Sequence, residues 1–157
     1  MATERAQAAD AVRRWLEAQE GLEVEQVGDD AWVTVLAGEN KRTIGMYLSV
    51  GDRTLIVESH FMRAPDENAE RLYGLLLARN QRSYVLRFCV YDSGDIVLVG
   101  VVPVAAVTVE EVDRIAGALL TTADETYNAA LRLGFTAYIE REQAWRERVG
   151  LGRNPIT

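Results

Sequence analysis

Residues 43–61 read TIGMYLSVGDRTLIVESHF and form two strand-like runs on either side of Gly51-Asp52. In the first run the even positions from 44 to 50 carry Ile, Met, Leu and Val, and the odd positions carry Thr, Gly, Tyr and Ser. Because successive side chains of a strand point to opposite faces, this period of two predicts a sheet that is covered on one side. Gly51 and Asp52 favour a tight reversal, so the segment predicts an antiparallel pair of strands.

Strand-like runs continue in both directions from this pair. Residues 22–27 and 31–36 also have strand-like patterns, and turn-forming Gly, Asp and Asn residues separate them from each other and from the pair. Downstream, residues 83–91 and 96–102 are joined by Asp92-Ser93-Gly94-Asp95, which is typical of a hairpin turn. Residues 96–102 are nearly all apolar, and this predicts a central strand that is buried on both faces.

Apolar residues spaced three and four apart predict helices before, between and after these strands. The first helix follows Thr3, a suitable cap, and stops near Gly21. The second begins at Pro65-Asp66 and stops near Asn80. The third starts at residues 108–111, whose Thr and Glu match a capping box, and it is the longest periodic segment in the chain.

The third helix is interrupted at Gly134, and a further helical segment is predicted over residues 136–149. We therefore expect an α+β fold, a twisted antiparallel sheet of about six strands flanked by helices in the order α-ββββ-α-ββ-α. A length of 157 residues favours a single domain, residues 1–157. We expect its core at residues 22–135, followed by the C-terminal helical extension at 136–149 and a frayed tail at 150–157.

Composition and charge exclude several classes of partner. The net charge of -7 opposes contact with phosphates, and we expect no nucleic acid among the partners. No stretch approaches the roughly 20 apolar residues that a membrane-spanning helix needs. Residues 1–10 also lack the apolar core of a signal peptide, so we expect a cytoplasmic protein that does not bind membranes.

The sequence offers little material for catalysis. His60 is the only histidine and Cys89 the only cysteine, and this excludes a multi-histidine metal site and an internal disulfide. The aspartates at 29–30 and 92–95 lie in reversals, where Asp commonly bonds to its own backbone. Nucleophile elbows, phosphate loops and dinucleotide-binding turns are missing from the sequence. We therefore expect a protein without enzymatic activity, without a metal and without a cofactor.

Three aromatic side chains are not explained by a core stripe and are the candidates for partner binding: Trp32, Tyr47 and Trp145. Exposed aromatic residues commonly anchor protein interfaces. Two alternatives stay open, because Trp32 could equally be partly buried and Trp145 could dock the last helix onto the sheet.

Three segments resemble one family. They are NAERLYGLLLARN at 68–80, DSGDIVLVG at 92–100 and VTVEEVDRI at 107–115, and they are similar to the YbjN-domain proteins of actinobacteria. The resemblance covers roughly residues 22–135. It implies the fold of type III secretion chaperones, in which helices flank a twisted antiparallel sheet, and it implies dimers without catalytic residues. The matching motifs are structural, so the resemblance assigns no activity to any residue.

The expected function is that of a noncatalytic protein-binding module, chaperone-like or regulatory, which acts as a homodimer and binds an extended segment of a client protein. Apolar grooves and main-chain pairing at a sheet edge would hold the client. The expected dimer interface lies on the second helix and the last two strands. On that helix it comprises Leu72, Tyr73, Gly74 and Leu76, with Gly74 allowing close approach of another backbone.

An alternative is a small-molecule binder or weak enzyme. It would use a cavity between the sheet and the helices, with Tyr47, His60 or Arg87 as polar groups.

Overall fold

The computed structural model describes residues 2–154 and 156, and within them one antiparallel sheet of six strands is flanked by four α-helices. The strands are β1 (Val24–Gly28), β2 (Ala31–Leu36), β3 (Ile44–Val50), β4 (Thr54–Met62), β5 (Arg87–Val90) and β6 (Ile96–Pro103). The helices are α1 (Glu4–Ala18), α2 (Ala69–Asn80), α3 (Val109–Gly134) and α4 (Thr136–Arg148), and a 3-10 turn covers Val104–Ala106. The spatial order of the strands is β1-β2-β3-β4-β6-β5. The predicted fold class and element order are confirmed.

The helices cover one face of the sheet. On that face Leu48 of β3 pairs in register with Val57 of β4, and both are fully buried. Leu98 of β6 is also fully buried, and it belongs to one cluster with Val12 of α1 and Leu119 of α3. The alternation predicted for residues 43–50 is therefore correct, because its even positions form the inner side of this core.

Polar contacts fasten α1 to the rest of the domain. Thr3 caps the helix by accepting a hydrogen bond from the amide of Ala6. The indole Nε1 of Trp15 donates to Asp113 Oδ1 of α3 at 2.9 Å. Arg5 forms ion pairs with Asp30 and Asp52, in the turns after β1 and β3. Besides these polar contacts, α1 shares the hydrophobic core with the sheet and α3.

Two predicted element boundaries are wrong. Residues 83–86 are not part of β5, because Val85 has a left-handed φ of 64° that turns the chain before Arg87. Gly100 of β6 accommodates this turn, since a Cβ there would lie 2.9 Å from Val85 Cγ1. The second helix begins at Ala69 rather than at residues 65–66, because Asn68 has a left-handed φ of 55° that a helix running through it could not contain.

The prediction that residues 96–102 are buried on both faces holds only for the first half of β6. Ile96, Val97 and Leu98 are buried, whereas Val99 is partly exposed and Val101 is 58% exposed. Val101 points away from the helices, so its exposure shows that the other face of the sheet is uncovered at this point.

The chain beyond the long helix behaves as a short extension. The carbonyl of Leu131 accepts a bond from the amide of Phe135, and the chain then enters α4, close to the predicted segment. Asn154 in the tail accepts and donates hydrogen bonds with Gln143 and Glu142 of α4. Fraying of residues 150–157 stays a prediction, and positions 155 and 157 lie outside the described residues, as does position 1. None of the helices in the described ranges is long and apolar enough to cross a membrane.

The loop between β2 and β3 is fastened to α3 by one carboxylate. Asp124 Oδ1 accepts hydrogen bonds from the backbone amides of Asn40 at 2.7 Å and Lys41 at 2.9 Å. Gly38 lets the loop approach, since a Cβ there would lie 2.4 Å from the same oxygen. This carboxylate therefore fixes the backbone position of residues 38–41.

We predict that Asp124→Ala lowers the free energy of unfolding by about 1 kcal/mol or more, because two loop amides lose their acceptor. Urea unfolding followed by circular dichroism measures the change. Glu125→Ala is the matched control, since Glu125 is the exposed neighbour on the same helix. Equal stabilities of the two variants would contradict the assigned role of Asp124.

Candidate functional site

The side of the sheet opposite the helices, which we call the open face, has no helix packed on it. Its side chains come from the alternate positions of β2, β3, β4, β6 and β5, and a continuous row crosses the strands: Val33, Tyr47, Glu58, Val99 and Arg87. Each member of the row is partly or fully exposed, whereas its neighbours in sequence are buried. The open face is therefore available to a partner.

The open face is more apolar than a solvated sheet face usually is. Its apolar members are Val33, Val35, Tyr47, Ile56, Cys89, Val97, Val99 and Val101. Val35 is 49% exposed, Ile56 39% and Val101 58%. Contiguous exposed apolar surface of this kind marks interaction sites in soluble domains.

A shallow depression lies in the middle of the open face. It has a volume of about 270 Å³, and its floor includes Gly45 of β3 and Val97 of β6. A Cβ built on Gly45 would meet nothing within 4 Å, so the depression exists where this side chain is missing. Tyr47, His60 and Tyr91 form part of its wall.

Val97 shows that the open face has a small packed centre of its own. This residue is 3% exposed, yet among the described buried hydrophobic residues it is the one that lies outside the main core cluster. Its register partners are His60 of β4 and Cys89 of β5. The floor of the depression is thus apolar at Val97, which packs among its strand neighbours and not in the main core.

A hydrogen-bonded pair holds the rim of the depression. His60 Nε2 lies 3.1 Å from Asp95 Oδ2, and the other oxygen of Asp95 accepts the amide of Ala64. The bond to His60, and secondly the bond from Ala64, lower the pKa of the Asp95 carboxyl. The pair joins the hairpin turn before β6 to the end of β4.

The structure does not bring the three aromatic candidates together. Tyr47 lies on the open face at the depression. Trp32 points to the other side and is 3% exposed, in the core beneath the guanidinium of Arg13. Trp145 is 50% exposed on α4, so half of its side chain is available to a partner. Its role as a partner contact, like that of Tyr47, stays a prediction, whereas the burial of Trp32 leaves it no surface to offer.

The four residues expected at the dimer interface divide into two pairs. Leu72 and Leu76 are buried in the core of their own chain. Tyr73 is partly exposed, and Gly74 is exposed with nothing within 4 Å of a built Cβ. Leu77, which the sequence pattern did not single out, is 67% exposed beside them. Residues 73, 74 and 77 are therefore the part of α2 that a second chain could contact.

The polar groups named for a small-molecule site are only partly brought together. Tyr47 and His60 both border the depression of the open face, and His60 also lines a cavity beside the helices, whereas Arg87 lies on the open face outside the lining of the depression. Arg87 donates to the carbonyls of Ser83 and Leu86. Across residues 2–154 and 156, no group of three or more His, Cys, Asp or Glu side chains could hold a metal ion.

Sequence reasoning missed Gly45, Val97 and Tyr91. Gly45 was visible as the one position in the alternation of residues 43–50 without a side chain. Its importance depends on which strands lie beside it, and the order of β4 and β6 is a tertiary property. The sequence therefore showed the missing side chain at Gly45, but it did not predict that a depression forms there.

Comparison with known proteins identifies the family. The model of the YbjN family, described as "Putative bacterial sensory transduction regulator", matches residues 8–132. The chain belongs to the YbjN family. The match confirms the resemblance drawn from residues 68–80, 92–100 and 107–115, and it begins earlier than expected, within α1.

YbjN relatives are found in mycobacteria. The chain is 44% identical over 116 residues to Uncharacterized protein Rv0487 of Mycobacterium tuberculosis and 38% identical over 114 residues to Uncharacterized protein ML2442 of Mycobacterium leprae. These matches cover 74% and 73% of this chain. They span 63% and 62% of the relatives' own lengths, so the relatives are longer than the shared region.

A solved structure shares the fold of this YbjN protein. One chain of the heterodimeric complex ExoU-SpcU, from the type III secretion system of Pseudomonas aeruginosa, is similar with a TM-score of 0.51 and 17% sequence identity. The likeness covers 71% of this chain and 91% of that chain. It confirms the expected arrangement of the type III secretion chaperone fold, and at this identity it concerns the fold alone.

The contact of Asp95 with His60 predicts a pH dependence. The pKa of Asp95 is lower in the folded than in the unfolded chain, so its carboxylate stabilises the fold above the unfolded value of about 3.9. That stabilisation is lost as the pH falls through the lower folded pKa. We expect the stability difference between the natural chain and Asp95→Asn to shrink between about pH 5 and about pH 2. Urea unfolding across this range measures it, and a constant difference would contradict the shift.

Proposed function

We propose that this YbjN protein is a noncatalytic protein-binding module, chaperone-like or regulatory, which binds an extended segment of a client protein on the open face of its sheet. The apolar depression at Gly45 and Val97 is the observation that carries the proposal. Val35, Ile56 and Val101 are exposed to water in the free chain. A partner that covers them would be stabilised by about 25 cal/mol per Å² of buried apolar surface.

An extended segment fits this surface better than a folded domain does. The depression is shallow and bounded by Tyr47 and Tyr91, so it accepts one apolar side chain at a time. β1 is an edge strand that pairs only with β2, and all of its residues are exposed. An added strand could hydrogen-bond along this edge while its side chains reach the open face.

The fold likeness supports a protein as the partner. The similar chain comes from a complex of two different proteins, and the same architecture here has exposed apolar residues on its open face. The described lining of the depression holds Glu58 and His60 but no serine, threonine, cysteine or lysine that could act as a nucleophile, which favours binding over covalent catalysis. The net charge of -7 disfavours nucleic acid and anionic membrane surfaces as partners, and we propose a cytoplasmic location.

The proposed assembly is a homodimer through α2 and the neighbouring edge strand β5. Gly74 and Leu77 form an exposed apolar surface with Tyr73, and Val90 of β5 is 49% exposed. This arrangement leaves β1, at the opposite edge of the sheet, free for the client.

Filling the depression provides the first test. We predict that Gly45→Val removes the binding of client chains, because its side chain fills part of the depression. The fold should be unchanged or more stable by up to about 1 kcal/mol, since valine suits a strand better than glycine. The natural chain and the Gly45→Val variant are each used as bait in affinity purification. Quantification of the co-purifying chains identifies those whose binding depends on the depression.

Gly117→Ala is the matched control for this experiment. Gly117 is also exposed with nothing within 4 Å, but it lies on α3, on the other side of the molecule. Peptides of an identified client should then bind with a negative heat-capacity change and little dependence on salt. Clients that bind Gly45→Val as tightly as the natural chain would contradict the proposed site.

The dimer is tested separately. Size exclusion with light scattering at micromolar concentration should give about twice the chain mass of 17.5 kDa. Leu77→Arg should give monomers, because it places a charge in the apolar contact, whereas Val24→Arg on β1 should leave the dimer intact. A monomer mass for the natural chain would remove the homodimer while leaving the open face as the proposed client site.

A further inference from the structure

A second concave site lies on the other side of β4, between the end of that strand and the two C-terminal helices. It has a volume of about 470 Å³, within the range of small-molecule sites. Its walls come from the β2–β3 loop, from the end of β4, from α3 and α4, and from residue 156. It is separate from the depression of the open face, although His60 borders both.

A single ammonium group enters this cavity. Lys41, the only lysine of the chain, is partly buried there, and its Nζ lies 4.8 Å from the ring centroid of Tyr127. Within residues 2–154 and 156 no carboxylate lies within 4 Å of this ammonium. Its burial lowers its pKa, and no opposite charge reverses that effect.

Contacts of the β2–β3 loop fix the position of Lys41. Asp124 accepts the hydrogen bond from its backbone amide, as described above, so the loop holds the side chain over Tyr127. The Tyr127 ring in turn packs edge-on against Phe61, with centroids 5.8 Å apart. The ammonium is therefore presented at a rigid aromatic wall.

On the opposite wall of the cavity a second cation lies over an aromatic ring. The guanidinium of Arg63 lies 4.1 Å from the ring centroid of Phe135, and Asp66 forms an ion pair with it. Glu142 is the acidic group of the lining, but it is already paired with Arg146 at 3.2 Å. The unbalanced charge in the cavity is consequently the positive charge of Lys41.

We propose that this cavity is a binding site for an aromatic carboxylate. The carboxylate would pair with Lys41, and the ring would lie among Tyr127, Phe135 and Tyr138. An ion pair compensates a partly buried charge, and aromatic rings pack favourably edge to face. The proposal does not rest on the client-binding function, because it uses a different surface.

The probes are three free acids of graded size: phenylacetate, indole-3-acetate and naphthylacetate. Each is compared with its neutral amide, which has the same shape without the charge. Isothermal titration calorimetry on the full chain should show saturable binding of at least one acid. Its amide should bind at least about tenfold more weakly. Because Lys41 is the only lysine, the 13C signal of its reductively methylated ammonium should shift with the acid and not with the amide.

Variants assign the binding to this cavity. Lys41→Met should weaken acid binding by about tenfold or more, whereas Arg87→Met, which removes the same charge from the open face, should leave it unchanged. Gly45→Val should also bind the acid normally, which separates this proposal from the client site. Absence of binding by all three acids, equal binding of acid and amide, or undiminished binding by a folded Lys41→Met variant would each overturn the proposal.

Discussion

The helices of this domain reach only one face of a six-stranded sheet, and the remaining features of the structure depend on that constraint. One layer of α1, α2 and α3 is enough to bury the inner side chains of β3, β4 and β6. The other face then has two possible states, solvated or covered by a partner. Its Val and Ile side chains, together with the missing side chain at Gly45, favour the partner.

The one-sided sheet was predictable from a short segment, and much of the rest was not. The alternation in residues 43–50 depends only on local geometry, so it identified the buried side correctly. The start of α2 is set by the left-handed backbone of Asn68, whose side chain donates to the carbonyl of Leu133 far along the chain, and the local sequence pattern does not predict that contact. The turn at Val85 was also not predictable from the local sequence. A β-branched residue rarely adopts a positive φ, and the missing side chain of Gly100 leaves room for Val85 in this conformation.

Some of the candidate site residues could also be predicted from the sequence, and others could not. Tyr47 was identified from its place on the polar side of an alternating strand, and Trp32 was misleading because the face of β2 to which it points depends on strand register. Lys41 could be recognised only as the single lysine, since its contact with Tyr127 joins a loop to a helix far along the chain. Part of that second cavity, including Tyr138, belongs to α4, beyond the residues that match the family. The two surfaces can therefore serve different roles within one domain.

Site-specific photocrosslinking tests the central claim that a partner protein covers the open face. A benzoylphenylalanine residue replaces Val101, which is 58% exposed on that face, and in a second chain it replaces Glu125 on the helical side. We expect that, in the cell that produces the protein, the probe at 101 crosslinks to a different protein and the probe at 125 does not. Equal crosslinking from both positions, or none from position 101, would contradict it.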